Sequence, residues 1–372
     1  MSDKKRRIRR ILYTLILLLT GWYVVNHLEE LRLLLSTFGN ANPAWLLVAL
    51  GAHIVWLMVI AASLQSTYTL TGIHESLRHL LPLTTAGNFL NVVAPSYGLG
   101  ALAVFMADGS KRGLPAGKVS TASILYMVYD YIGFMIILPV GLIVLSMRDA
   151  LSPVITASSM IAAVIASVVF TATYLGFKNT GRLKHFLQKL ARLINGMLFA
   201  LFRREVLSMS RIRLFADNVT DGLREVRAAS HSLIIPALLA LLNKASAMLI
   251  LLLAAKAFQV NLDPAVLFAS FTIAYLFNIV SVTPSGIGFV EGALTLILSN
   301  LGVPLAQAAA ITVTYRGITF WLTLLYGLIA IRMIGYPLRS AGIPGRTETA
   351  PQAPPGYVRN EASFKRDPKL SS

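Results

Sequence analysis

Apolar residues in this chain fall in blocks of about twenty, the length an α-helix needs to cross a hydrocarbon core of about 30 Å. Six blocks run without interruption, at about 11–28, 43–64, 119–147, 153–177, 233–257 and 305–333. The 372 residues are 56% hydrophobic and 13% charged, about half the charge of a soluble domain. The blocks therefore predict an all-α integral membrane protein with six full transmembrane helices.

Two further apolar regions, about 82–107 and 265–300, contain helix breakers. The first reads LNVVAPSYGLG from Leu90 to Gly100, the second FNIVSVTPSGIGFVEG from Phe277 to Gly292. Proline and closely spaced glycine interrupt helices, so each region predicts two half-helices around a turn. Irregular backbone at membrane depth must face protein or water rather than lipid.

Charge decides how these regions run. If both turn back on themselves, as re-entrant hairpins, and the N-terminus is cytoplasmic, the basic loops fall on the cytoplasmic side. These are the loops with His74, Arg78 and His79, with Lys111, Arg112 and Lys118, and the long loop 178–232; the tail 341–372 joins them. The outer loops then carry only Arg32 and Arg148. A single crossing by each region would put the long basic loop outside, against the positive-inside rule. Both termini are expected in the cytoplasm. The net charge of +17 lies beside apolar spans and points to anionic lipid headgroups rather than nucleic acid. KKRRIRR (Lys4 to Arg10) precedes the first span with no small-x-small cleavage site after it, as in an uncleaved signal anchor.

A weak repeat organises the spans. Asn91, Pro95, Gly98 and Gly100 correspond to Asn278, Pro284, Gly286 and Gly288, with a two-residue insertion before the second proline. Asp130, Phe134 and Gly141 then match Arg316, Phe320 and Gly327 at equal spacing. The units, about 43–147 and 233–333, are expected to be inverted repeats within a membrane domain covering 1–340. Inverted units with discontinuous helices place transporter sites at the repeat interface near the midplane. Segment 182–202 of the loop mixes basic and apolar residues at helical intervals and fits a helix lying on the inner leaflet. Segment 205–229 is similar, and the tail has the composition of a disordered segment.

Ionisable groups within spans are costly and need a reason. Asp130, Lys244, Glu291 and Arg316 are the four that stand out. Thr312, Arg316, Thr319 and Thr323 share one helical face. Arg316 is either a bidentate contact for phosphate or carboxylate, or a partner that locks Glu291 or Asp130 in place. Glu291 falls in the first turn after the PSGIG break, where a carboxylate is a structural cap or a gating, proton-linked group. Amides from Ser285 to Phe289, including those of Gly286 and Gly288, are a candidate phosphate cradle. Lys244, near the middle of its span, requires a buried partner. His53 reads as a packing residue, and Asn91 and Asn278 as partners for freed backbone groups.

The sequence contains no cysteine, no Walker-type glycine loop, and no HExxH, Asp-x-Asp or GxSxG motif. No metal, cofactor or catalytic residue is expected.

From Pro284 to Gly327 the pattern PSGIGFVEG, then GVPLAQA, then TYRGITFW resembles the flippase-like membrane family. That family contains the transmembrane region of lysylphosphatidylglycerol synthases and bacterial inner-membrane proteins. Pro284, Gly286, Gly288, Glu291, Gly302, Val303 and Arg316 carry the likeness. Gly100-Ala101 stands where members often have Gly-Glu, and no large synthase domain follows the spans. The resemblance implies a lipid flippase or lipid-transport component of the bacterial inner membrane. The expected partners are anionic or aminoacylated phospholipids and a separate lipid synthase. The headgroup site is expected at Arg316, Lys244, Ser285, Gly286, Gly288, Glu291, Asp130, Thr312 and Thr319. Two rivals remain: an intramembrane transferase acting on a lipid-linked substrate, and a scaffold for a synthase that transports nothing.

Overall fold

The computed structural model describes residues 36–37, 39–93, 99–178, 180–202, 226, 233–281 and 283–334. The first expected span, the turn 94–98, segment 205–229 apart from Val226, and the tail 341–372 lie outside the described residues. All that is described belongs to one compact unit, Met1–Tyr336.

Among the described residues ten longer helices follow in order: α1 (Pro43–Leu70), α2 (Leu77–Val93), α3 (Leu99–Lys111), α4 (Ala116–Met147), α5 (Pro153–Lys178), α6 (Thr180–Phe202), α7 (Ile234–Ala257), α8 (Pro264–Val280), α9 (Phe289–Asn300) and α10 (Leu305–Met333). Among the described residues, α1, α4, α5, α7 and α10 are long and apolar enough to span a membrane. Their outward faces present Leu47, Ile54 and Met58 of α1, Ile136 and Ile143 of α4, and Val164 of α5, side chains that only lipid would cover.

Local chemistry sets the boundaries. α1 begins with Pro43 behind Asn42, whose side chain accepts the Ala44 amide at 3.0 Å, and α8 begins likewise behind Asp263. α1 also runs to Leu70, past the expected end near residue 64, through a polar stretch. The hydroxyls of Ser63, Ser66, Thr67 and Thr69 bond back to helix carbonyls three or four residues earlier. They need no water, so the helix continues. α10 is continuous as expected, but Gly317–Leu322 is wound as a π-helix directly after Arg316. α6 occupies the expected amphipathic segment, with Leu183 and Ala191 buried and Arg182, Lys189 and Arg192 exposed.

Contacts sort the helix ends into two groups. Arg112, after α3, pairs with Glu75, before α2, at 2.7 Å. The Glu75 carbonyl accepts from Gln65 of α1 at 2.7 Å, and Lys111 Nζ reaches the Ile334 carbonyl at the end of α10 at 3.3 Å. Elsewhere the Asn42 amide donates to the Ala257 carbonyl at 2.8 Å, so the start of α1 meets the end of α7. There too Arg148, after α4, pairs with Asp263, before α8, at 3.3 Å. Gln307 of α10 donates to the Phe258 carbonyl at 3.4 Å.

Helix neighbours are reciprocal. α1 packs on α7; α2 packs on α3 and α10; α8 packs on α9 and α4. Exchanging α1, α2, α3, α4 for α7, α8, α9, α10 maps these pairs onto one another. Two glycines sharpen the match. A Cβ on Gly141 of α4 would meet the Thr272 side chain of α8 at 2.1 Å. One on Gly327 of α10 would meet Phe89 at 2.4 Å and the Thr85 carbonyl at 2.9 Å, both on α2. Thr85 and Thr272 stand at the same distance before Asn91 and Asn278. The expected sequence repeat thus has a counterpart in packing.

Candidate functional site

Asp130, Lys244, Glu291 and Arg316 form two pairs. In the first, Asp130 of α4 meets Lys244 of α7, buried to 2% side-chain exposure against 27% for the aspartate. Lys244 Nζ donates to Asp130 Oδ1 and to the Tyr275 hydroxyl, which donates in turn to Asp130 Oδ2. Asn243 adds a 3.0 Å bond to Oδ1 and accepts from the Trp56 indole at 2.7 Å. The ammonium lies 4.0 Å from the centroid of the Tyr275 ring. Every polar group of this network is satisfied by another, the condition on which such a cluster is tolerated away from water.

In the second pair, Arg316 Nε donates to Glu291 Oε1 at 2.7 Å, Nη2 donates to the Ser285 carbonyl at 3.0 Å, and the guanidinium stacks 4.4 Å over Phe320. The other carboxylate oxygen accepts the Gly288 amide at 2.7 Å. Glu291 therefore caps α9, as its place in the first turn requires, and is also the partner of Arg316. The cap read for Glu291 and the lock read for Arg316 are thus one arrangement. In the first unit Asn91 does the capping: its side chain accepts the Ala101 amide near the start of α3 at 2.9 Å. That accounts for a helix start there without the Gly-Glu of the family pattern.

Both pairs open on one cavity of about 330 Å³. Asp130, Lys244, Ser285, Arg316 and Thr319 stand in its wall, with Asn91 and Asn278 from the two broken regions. Four expected residues do not. Gly286 is buried with φ 72°, where a Cβ would lie 2.4 Å from Val290, and Gly288 takes φ 84° as the cap of α9. Glu291 lies behind Arg316. Thr312, 1% exposed, lies on the turn towards which the Arg316 side chain leans. Two amides of the expected cradle are occupied by the protein itself: Gly286 N–H donates to the Thr283 carbonyl at 3.0 Å and Gly288 N–H to Glu291. His53, expected to be a satisfied packing residue, is 1% exposed, packs on Trp56 and Tyr326, and among the described residues has no hydrogen-bond partner at either ring nitrogen.

Tyr275, Asn243 and Trp56 were not expected at the site. Tyr275 is the only polar side chain between Thr272 and Asn278, a signal that counting charges overlooks. Among the described residues no three His, Asp or Glu side chains gather as metal ligands would. The donors available to a ligand are the Lys244 ammonium, the Arg316 guanidinium and neutral amide and hydroxyl groups, a set that suits phosphate.

Residues 10–327 match the family described as the lysylphosphatidylglycerol synthase TM region. A UPF0104 membrane protein of Methanothermobacter thermautotrophicus is 25% identical over 311 residues, covering 80% of this chain and 87% of that protein. The family match takes in both helix sets and the cavity they share. This multi-pass membrane protein belongs to the lysylphosphatidylglycerol synthase transmembrane-region family.

Proposed function

We propose that this protein is a lipid flippase, or the lipid-moving component of a larger system, that takes a phospholipid headgroup into the central cavity while the acyl tails stay in lipid. One observation carries the reading: two cationic side chains, each tied to a carboxylate, meet at one cavity formed by both helix sets. Arg316 and Lys244 meet the phosphate, Asp130 and Glu291 balance them, and Ser285 and Thr319 line the path.

The architecture in this reading is six spans and two re-entrant hairpins, α2–α3 and α8–α9, in inverted units. The Arg112–Glu75 pair supports it for the first hairpin, because it joins the end of α3 to the start of α2. The starts of α8 and α10 fall together in the other group of helix ends, which supports inversion. The basic loops argue for cytoplasmic termini in a bacterial inner membrane. Anionic or aminoacylated phospholipids are the partners of choice, and a separate lipid synthase is their source.

The test is movement of labelled phosphatidylglycerol and lysylated lipid across proteoliposomes. Arg316→Ala is expected to slow exchange at least about tenfold, the equivalent of one charge-assisted contact of about 1.5–3 kcal/mol. Folding should survive, since Glu291 keeps the Gly288 amide and is 28% exposed. Equal rates for Arg316→Ala and wild type would remove Arg316 from the path.

A further inference from the structure

Asp130 stands in the walls of two cavities. The larger is the headgroup cavity already described. The smaller holds about 10 Å³, room for about one water molecule. Its wall includes Ser63 and Thr67 of α1, Tyr126 and Tyr129 of α4, and Pro236 and Asn243 of α7. Thr67 and Pro236 lie within a turn of the end of α1 and the start of α7, whereas Asp130 and Asn243 lie near mid-span. Hydroxyl and amide groups thus run inward from one group of helix ends to the Asp130 carboxylate. A headgroup cannot enter a space of that size. A proton can cross it by hydrogen-bond exchange through a single water.

We propose that Asp130 is a proton carrier, loaded through the small cavity, and that its proton travels with an anionic phosphate headgroup held at Lys244 and Arg316 in the large one. This rests on the transport reading above and supplies the coupling that reading lacks. In the empty protein the Asp130 carboxylate accepts from Lys244, Asn243 and Tyr275. A proton delivered by water forms an O–H bond on one carboxylate oxygen as the O–H bond of the donating hydronium breaks. The neutral acid no longer holds the ammonium by charge, and one of its donors must turn away. Lys244, still cationic, takes a phosphate oxygen instead. The wall gains one positive charge from the proton and one negative charge from the phosphate, so the loaded and empty cavities carry the same net charge. A charge imbalance at mid-membrane is what the low-dielectric surroundings penalise most. Release reverses both steps on the other side, one proton moving with each phosphate monoanion in the same direction.

Among the described residues, Asp130 is the one carboxylate in the wall of either cavity. α7 presents Lys244, α8 presents Tyr275, and α4 itself carries Tyr126, Tyr129 and Tyr131. Arg316 of α10 shares the cavity but is held by Glu291. From α1 come Trp56, Ser63 and Thr67, none of which titrates here, while His53 packs on Trp56 and Tyr326. α3 and α5 also pack on α4. Their ionisable residues are engaged elsewhere: Asp108 with His79 at 2.9 Å, Lys111 with the Ile334 carbonyl, and Lys178 over Tyr174.

The experiment uses the full chain in vesicles of phosphatidylethanolamine and phosphatidylglycerol, with labelled phosphatidylglycerol and a lumenal pH dye, with and without an imposed pH gradient. Wild type is expected to move labelled lipid about tenfold faster down the proton gradient, within the range of ordinary coupling energies, and to move protons only while lipid moves. Asp130→Asn is expected to move no protons and to show no response to the gradient, and Asp130→Glu to restore both. Ser63→Leu, which fills the small cavity, is expected to lose both the acceleration by the gradient and the proton movement. Infrared difference spectra between acid and neutral pH should show a protonated-carboxyl band in wild type that Asp130→Asn lacks, independently of transport. Lipid movement indifferent to the gradient would overturn proton coupling and leave the transport reading standing. Absence of lipid movement in wild type under every gradient would remove the transport reading and this proposal with it. A gradient response or carboxyl band retained by Asp130→Asn would assign the proton to another group.

Discussion

Lys244 and Asp130 share a bond but differ in surroundings, and the difference decides which loss the fold tolerates. The lysine side chain is 2% exposed and the aspartate 27%. Asp130→Ala leaves an ammonium enclosed with only the Tyr275 hydroxyl. Lys244→Met leaves a carboxylate that still has Asn243, Tyr275 and water. Breaking a buried pair from one side costs about 3–5 kcal/mol, and that full cost is expected for Asp130→Ala alone. Lys244→Met should lose less by at least about 1 kcal/mol, and Asp130→Ala/Lys244→Met should recover most of the aspartate's loss. Thermal unfolding of the purified variants in one detergent measures the order; equal losses for the two single variants would mean that both groups are equally enclosed. The sequence called for a buried partner of Lys244 without naming it, because 114 residues separate the two positions and no local spacing joins them. For Arg316 the sequence offered either Glu291 or Asp130, and the fold selects Glu291 at 2.7 Å.

At the scale of helices, the close approaches at Gly141 and Gly327 differ in what they meet. A methyl at Gly141 strikes the Thr272 side chain, which a second substitution can shorten. A methyl at Gly327 strikes the Thr85 carbonyl as well as Phe89, and backbone cannot be trimmed. Overpacking of this kind costs about 1–3 kcal/mol. Gly141→Ala is therefore expected to be relieved by Thr272→Gly, which removes Oγ1, Cγ2 and the Cβ 2.5 Å away, whereas Gly327→Ala should persist in the presence of Phe89→Gly, because the Thr85 carbonyl stays. Yield of monodisperse protein and melting temperature read the outcome; rescue at both glycines would show that the α2 backbone yields. The five spans among the described residues were readable because twenty apolar residues in a row suit only the interior of a bilayer. The extension of α1 to Leu70 was not, since Ser and Thr look like a loop until their hydroxyls are seen bonding back to the helix. The π segment after Arg316 was equally hidden: Gly317–Leu322 shows no breaker beyond one glycine.

Across the whole molecule, the chain contains no cysteine, so a single introduced thiol reports sidedness without background. If α2–α3 returns to the face it left, His74→Cys and Gly113→Cys will react with an impermeant maleimide from the same side. Ala150→Cys and Asn261→Cys will react from the other. Labelling of positions 74 and 113 from opposite sides would make that pair a crossing and undo the inverted arrangement. Reciprocal packing raises a separate matter, which is how a bilayer stays sealed around a hollow. Each cation in the cavity wall is already tied to a carboxylate, Lys244 to Asp130 and Arg316 to Glu291, so the four charges sum to zero. A stray potassium or chloride ion meets no unpaired counter-charge there and gains nothing to offset the loss of its water. Only a solute able to replace a carboxylate at its cation, oxygen for oxygen, finds a resting place, and the membrane around it remains an insulator.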